Sequence, residues 1–144
     1  MMPMTLEDVS TTMADIDFAM LSTHSDNGEI AARPMSNNGD VHWQGDSFFF
    51  ALDGSRSVRD IESDPRVSLS YQSKHAFFRP PTFLAVEGSA EIIRDRKAFL
   101  EHWNDDLELY FAEGLDTPGL VLICVHAERI HWWKGQGEGD IVLR

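Results

Sequence analysis

The sequence is poor in cysteine and in positive charge. Its 144 residues include 1 cysteine, and 12 lysines and arginines stand against 24 aspartates and glutamates. A single cysteine excludes an intrachain disulfide, and the apolar surroundings of Cys124 predict a buried, unreactive thiol. The formal net charge of −12 argues against nucleic-acid binding, because neutralising phosphates requires clustered lysine and arginine.

Membrane and targeting signals are missing as well. No apolar run approaches the ~20 residues that a membrane-spanning helix needs. The first eight residues contain neither the basic nor the apolar region of a secretory leader. We therefore expect a cytoplasmic protein.

The remaining composition is that of a folded domain. Hydrophobic residues make up 42% of the chain and aromatic residues 10%, which is too apolar for disorder. The length predicts one domain over residues 1–144. Thr5 and Asp8 form a capping-box pattern that predicts an N-terminal helix within residues 1–15. The glycine-rich residues 135–144 predict a flexible tail.

Alternating apolar residues predict a mainly β fold. About six strands, mostly joined by hairpins and accompanied by two or three short helices, favour a closed or split antiparallel barrel. Asn27-Gly28 predicts the first hairpin turn, between strands over residues 18–24 and 29–36. Gly88, inside a long predicted strand, indicates a bulge or a close backbone approach.

The clearest chemical signal is a strand, a tight turn and a helix across residues 48–61. Ser55, Arg56 and Ser57 stand at the predicted helix start, where free N–H groups, hydroxyls and a guanidinium suit a phosphate. The alternative is that Ser55 only caps the helix and Arg56 faces solvent. The segment 33–36, Arg-Pro-Met-Ser, is a second candidate, and its alternative is an edge strand that ends at the proline.

Other constellations are absent from the sequence. The six histidines show no His-x-x-x-His spacing, and with one cysteine we expect no metal site. A Gly-x-Ser-x-Gly nucleophile elbow is also missing, which leaves a serine hydrolase without support.

Several short segments, taken in order, resemble one known family. The chain resembles the FMN-binding split barrels that are similar to pyridoxamine 5′-phosphate oxidase, and within them the general stress protein 26 branch. The segments that carry the resemblance are FAMLSTH at 18–24, ARPM at 32–35, FFF at 48–50, DPRV at 64–67, VEGSA at 86–90, GLD at 114–116 and WW at 132–133. The resemblance implies a six-stranded antiparallel split barrel and a homodimer that binds FMN at its interface.

The resemblance also implies roles for individual residues on the phosphate side. Arg33 resembles the arginine that contacts the FMN phosphate, and Ser55 and Arg56 resemble the phosphate-binding residues at the helix start. Ser57 stands where the family often has a lysine, so Arg59 would have to supply the missing charge.

On the ring side, Met35 resembles the residue that lies along the isoalloxazine ring, and Pro34 and Ser36 bracket it. Phe50 and Ala51 match the strand end that passes the ring.

The C-terminal segment separates this chain from the true oxidases. Trp133 resembles the tryptophan that the partner subunit brings to the flavin. In the true oxidases a Trp-x-Gly is followed by an Arg-x-His that grips pyridoxine, whereas Trp-Lys-Gly at 133–135 leads here into Gln-Gly-Glu-Gly-Asp at 136–140. Pyridoxamine phosphate oxidation is therefore not expected.

The first hypothesis is an FMN-dependent oxidoreductase of unknown substrate. The alternatives are a flavin-binding stress protein without turnover and a split barrel that binds haem or a deazaflavin.

Overall fold

The computed structural model describes residues 2–37, 42–75 and 77–143. Its helices are α1 (Leu6–Ala14), α2 (Arg56–Ser63) and α3 (Arg96–His102), with short 3-10 helices at Asp105–Leu109 and Gly114–Asp116. Its strands are β1 (Phe18–His24), β2 (Ile30–Ser36), β3 (Asp46–Leu52), β4 (Arg66–Gln72), β5 (Thr82–Ile93), β6 (Leu120–Lys134) and β7 (Gly137–Val142).

The strands form one antiparallel sheet with the order β2-β1-β4-β5-β6-β3, and β7 pairs with β6 off this path. The predicted mainly β fold is confirmed, and the sheet curls into a split barrel. The expected six strands are corrected to seven within the described residues. Because β2 and β3 end the order, the barrel is split between them.

The seventh strand also corrects the expectation of a flexible tail over residues 135–144. Residues 137–142 form β7, although Arg144 lies outside the described residues. A Cβ on Gly139 would lie 2.7 Å from the Trp132 side chain, so this glycine permits close packing. Asp140 and Glu138 each lie 2.6 Å from a ring nitrogen of His131. Close packing and charge pairing hold the segment that composition alone predicts to be mobile.

The N-terminal helix forms as its capping pattern predicts. Asp8 N–H donates to Thr5 Oγ1 at 3.1 Å, and Thr5 N–H donates to Asp8 Oδ2 at 2.9 Å. Val9 and Met13 are buried on the inner side of this helix. Met1, the first residue of the predicted helical segment, lies outside the described residues.

Two apolar clusters lie on opposite sides of β3 and β6. The main core fills the barrel and includes Leu21, Leu69 and Val86. A smaller cluster joins Phe50 and Leu122 to α3 and the segment that follows it. Within the described part of the chain, no helix is long and apolar enough to cross a membrane.

Gly88 confirms the predicted irregularity in the long strand. The register between β5 and β6 shifts between Glu87 and Gly88. A Cβ at Gly88 would lie 2.0 Å from the carbonyl oxygen of His126, so only glycine lets the two backbones approach here.

We expect Gly88→Ala to lower the free energy of unfolding by about 1–3 kcal/mol, the usual cost of forcing extra atoms into a packed site. Urea unfolding followed by tryptophan fluorescence measures the change. Ser89→Ala removes a hydroxyl from the next residue and should change it by less than about 0.5 kcal/mol. Equal effects of the two substitutions would contradict the steric explanation.

Candidate functional site

An apolar groove lies at the split of the barrel. A cavity of about 310 Å³ is lined by Phe18, Pro34, Met35, Ser36, Phe49, Phe50, Leu107, Tyr110 and Phe111. A neighbouring cavity of about 260 Å³ shares Phe18, Ser36 and Phe50 with it and extends to His102. Concave apolar sites with a few polar groups are typical of small-molecule binding.

A charged cluster lies near one end of this groove, on the side where α2 begins. The Asp60 carboxylate is buried on α2 and accepts a hydrogen bond from Thr23 Oγ1 at 2.7 Å. Arg33 NH2 lies 3.7 Å from the same carboxylate oxygen, and Arg56 Nε lies 3.6 Å from it. Arg33 NH1 also donates to Thr23 Oγ1 at 2.7 Å and to the carbonyl oxygen of Leu21 at 3.2 Å.

Two guanidiniums therefore share one carboxylate, and one positive charge is left over. Burial lowers the pKa of Arg33; Asp60 opposes this effect, and Arg56 adds to it. The guanidinium nevertheless remains charged, because arginine stays protonated throughout the physiological pH range. Arg33 is largely withdrawn from water and shares its counter-charge with Arg56, which is unfavourable, so the cluster favours an additional anion.

The hydroxyl of Ser55 strengthens the case for an anion. Ser55 is the N-cap residue of α2, but its side chain makes no capping hydrogen bond. Its Oγ is buried and has no hydrogen-bond partner within the described residues. An unpaired hydroxyl at a helix N-terminus, beside two arginines, fits a phosphate group. The residues present therefore fit the phosphate of FMN.

Of the residues expected on the phosphate side, Arg33, Ser55 and Arg56 lie near one another. Ser57 is the exception. Arg33 and Arg56 both approach Asp60 on α2, Ser55 precedes this helix as its N-cap residue, and the side chain of Arg56 is half exposed. Ser57 is buried on the inner face of this helix. Arg59 is exposed.

The two expected ring-side residues on β3, Phe50 and Ala51, point to opposite faces of this strand. Phe50 lines the groove with Met35, Pro34 and Ser36, and its ring packs edge-on against Trp103 at 5.1 Å between centroids. Ala51, the next residue, packs against the main core, because successive side chains of a strand point to opposite faces.

Trp133 lies apart from the groove, on β6. It pairs in register with Phe83 on β5, and its side chain is partly exposed. Its ring lies tilted against His131, with 4.4 Å between centroids.

Sequence reasoning missed Asp60 and Thr23, the residues that hold the arginines in place. Asp60 follows Arg56 by four residues on a helix, a spacing that brings opposite charges together. This spacing is the signal that could have found it. Thr23 gives no such signal, because its contact with Asp60 joins residues 37 positions apart.

A larger depression of about 700 Å³ lies elsewhere on the molecule. It is lined by residues that include Lys74, Arg79 and Lys134. Most of the described residues that line it have polar or charged side chains and none is aromatic, so it lacks the aromatic walls of the groove.

The family model for proteins like pyridoxamine 5′-phosphate oxidase matches residues 5–143 of this sequence. The chain belongs to the pyridoxamine 5′-phosphate oxidase-like family. No curated protein sequence matches it significantly.

Several solved structures share the fold. General stress protein 26 from Bacillus anthracis is 21% identical with a TM-score of 0.76, over 96% of this chain and 98% of that one. A protein from Clostridium acetobutylicum, related to general stress protein 26 of Bacillus subtilis, is 19% identical with a TM-score of 0.81, over 96% and 94%. A heme-binding protein from Mycobacterium smegmatis is 18% identical with a TM-score of 0.78, over 99% of this chain and 59% of that one.

We expect Asp60→Asn to lower the free energy of unfolding by about 3 kcal/mol, because it leaves Arg33 buried without a counter-charge. Chemical denaturation measures this loss. Asp64→Asn, which removes the partner of the exposed Arg66 at the end of the same helix, should cost much less, since solvent reaches the arginine and screens that pair. A loss in Asp60→Asn no larger than in Asp64→Asn would contradict the importance of the buried charge.

Proposed function

We propose that the chain binds FMN, with the phosphate at the beginning of α2 and the isoalloxazine ring in the groove. The observation that carries this proposal is the uncompensated charge of Arg33 and Arg56 beside the unpaired hydroxyl of Ser55. Alternate residues of a strand share a face, so Arg33 and Met35 bring the phosphate site and the groove to the same side of β2. Members of the family commonly bind flavin.

The residues around the groove have separate tasks in this proposal. Met35 and Phe50 exclude water from the ring, whereas Arg33, Arg56 and Ser55 orient the cofactor through its phosphate. A bound flavin supplies electron transfer, and the protein determines which partner reaches it.

We propose further that the protein is an oxidoreductase acting on a small substrate. The missing pyridoxine clamp leaves binding without turnover as the competing function. Anaerobic mixing of the FMN-loaded protein with a reduced nicotinamide nucleotide separates the two. Bleaching of the flavin absorbance at a saturable rate supports an oxidoreductase, and unchanged absorbance with this donor and with other small reductants favours storage or sensing.

Exposed apolar side chains next to the groove indicate that a second copy of the chain binds there. Phe18, Met20, Phe83 and Trp133 are each between 39% and 51% exposed on the strands. Met20 lies opposite Ser70 in the sheet, and Phe83 lies opposite Trp133. Apolar side chains exposed on one sheet face indicate an interface. Because Phe18 belongs both to this face and to the groove, we propose a homodimer in which a partner covers the face and closes the flavin site.

Haem is the competing ligand for the same groove. His102 lines the smaller cavity, and its ring stacks on Phe48 with 3.7 Å between centroids. Burial lowers the pKa of His102, which favours the neutral imidazole that ligates haem iron. A hemin titration that shifts the Soret band in the native protein and not in His102→Ala would support haem.

We expect FMN to bind with one molecule per chain and Arg56→Ala to weaken binding by about 1.5–3 kcal/mol, the value of a charge-assisted hydrogen bond. Quenching of FMN fluorescence measures the affinity. Arg96→Ala is the matched control, because Arg96 is exposed and pairs with Asp116 away from the groove. Unchanged affinity in Arg56→Ala would remove the phosphate from this site, and no binding by the native protein would refute the proposal.

We expect Met20→Glu to convert the dimer to a monomer, because it places a charge on the apolar face, and to weaken FMN binding at the same time. Light scattering and the FMN titration measure the two effects. Leu100→Glu is the control, because Leu100 is equally apolar and is exposed on α3. A native protein that is monomeric with FMN bound would rule out the dimer without contradicting the proposed phosphate site.

A further inference from the structure

A second cluster of polar side chains lies outside the groove, where β3, β5 and β6 run side by side. Cys124 and His126 stand two residues apart on β6, so both point to the same face of the sheet. Asp46 on β3 lies directly opposite His126, and Glu91 on β5 lies directly opposite Cys124. The antiparallel register therefore brings four potential ligand side chains together.

Three of these side chains could hold one ion. The Sγ of Cys124, a ring nitrogen of His126 and a carboxylate oxygen of Asp46 all lie within 4.8 Å of one another. The Nδ1 of His126 is 2.8 Å from Asp46 Oδ1 and 3.9 Å from Cys124 Sγ. In a tetrahedral zinc site the Zn–N and Zn–O bonds are near 2.0 Å and the Zn–S bond is near 2.3 Å. These lengths give separations of about 3.3 Å between the nitrogen and the oxygen and about 3.5 Å between the nitrogen and the sulfur. Each of the two observed separations differs from its tetrahedral value by about half an ångström.

Glu91 occupies a different position, on the far side of the imidazole ring. Its Oε1 lies 3.1 Å from Nε2 of His126. This is the usual place of the carboxylate that orients a metal-bound histidine, because the ring nitrogen that does not bind the metal donates its hydrogen to that carboxylate.

His131 shows what an ordinary histidine and carboxylate network looks like on the same strand. Asp140 lies at its Nδ1 and Glu138 at its Nε2, each at 2.6 Å. The two carboxylates occupy opposite edges of the ring, so a single ion cannot contact both of them and the ring. At His126 the thiol and Asp46 share one edge, and the thiol is buried while Asp46 is partly exposed. An ion could enter from the carboxylate side and reach the sulfur.

We propose that Cys124, His126 and Asp46 bind one divalent transition-metal ion of the zinc class, with Glu91 orienting His126. A thiolate, an imidazole and a carboxylate together suit such ions better than Mg²⁺ or Ca²⁺, which prefer oxygen ligands alone. Three protein ligands leave a fourth position for water. The ion would link β3 to the middle of β6. This site is independent of the flavin proposal, because its ligands do not line the groove in the described residues.

Cobalt(II) is the probe for this site, because a thiolate bound to it gives a charge-transfer band in the near ultraviolet, and tetrahedral coordination gives intense bands in the red. The reduced full chain, stripped of metal with a chelator, is titrated with Co²⁺ and then with Zn²⁺. We expect both bands to saturate at one Co²⁺ per chain and to disappear when Zn²⁺ is added. Zn²⁺ should also raise the thermal unfolding temperature.

Substitutions distinguish the proposed ligands from the rest of the chain. Cys124→Ser should abolish the charge-transfer band, and Asp46→Asn, at a partly exposed position, should weaken Co²⁺ binding. Glu91→Gln should keep the stoichiometry and weaken binding by roughly 10–100-fold, as loss of such an orienting partner does. His131→Ala is the matched control and should leave the titration unchanged.

Saturable Co²⁺ binding without a thiolate band, or no binding at all by the native chain, would overturn the proposal. Equal weakening by His131→Ala and by Asp46→Asn would do the same, because it would indicate ion binding by surface carboxylates in general.

Discussion

The pairing of β6 along both of its edges is the constraint on which the rest of the fold depends. One edge pairs with β5 over most of its length; the other pairs with β3 up to His126 and with β7 from Arg129 onward. This fifteen-residue strand pairs with three neighbours, and its register with β5 shifts between Glu87 and Gly88. Such a bulge changes the direction of the paired strands locally. The first half of β6 packs against α3 through Leu120 and Leu122, and the second half carries the exposed Trp133.

The groove follows from the order of the strands. A sheet that ends in β2 on one side and β3 on the other leaves a split when it curls, and apolar side chains from both strands line it. The chain then continues from β3 through a tight turn into α2, which places the helix N-terminus and Ser55 beside the groove. The groove and the proposed anion site are thus built partly from residues that follow one another in the chain.

Local charge differs from overall charge in this molecule. The chain carries a formal charge of −12, yet within the described part of the chain Arg33 and Arg56 share the single carboxylate of Asp60. At separations below 4 Å this arrangement outweighs distant acidic groups, because exposed charges are screened over a Debye length of about 8–10 Å. A strongly acidic protein can therefore present an anion site, and its remaining acidic surface disfavours larger polyanions.

The sequence by itself determined the features that depend on near neighbours in the chain. The capping box at Thr5, the hairpin at Asn27-Gly28, the beginning of α2 and the bulge at Gly88 each follow from a few adjacent residues. The tertiary structure alone decided which distant side chains meet. Sheet register placed Asp46 beside His126, packing against Trp132 ordered the glycine-rich C-terminal segment, and the approach of α2 to β1 brought Asp60 to Thr23. Local patterns determine backbone conformation over a few residues, whereas these contacts join positions that only the folded sheet brings together.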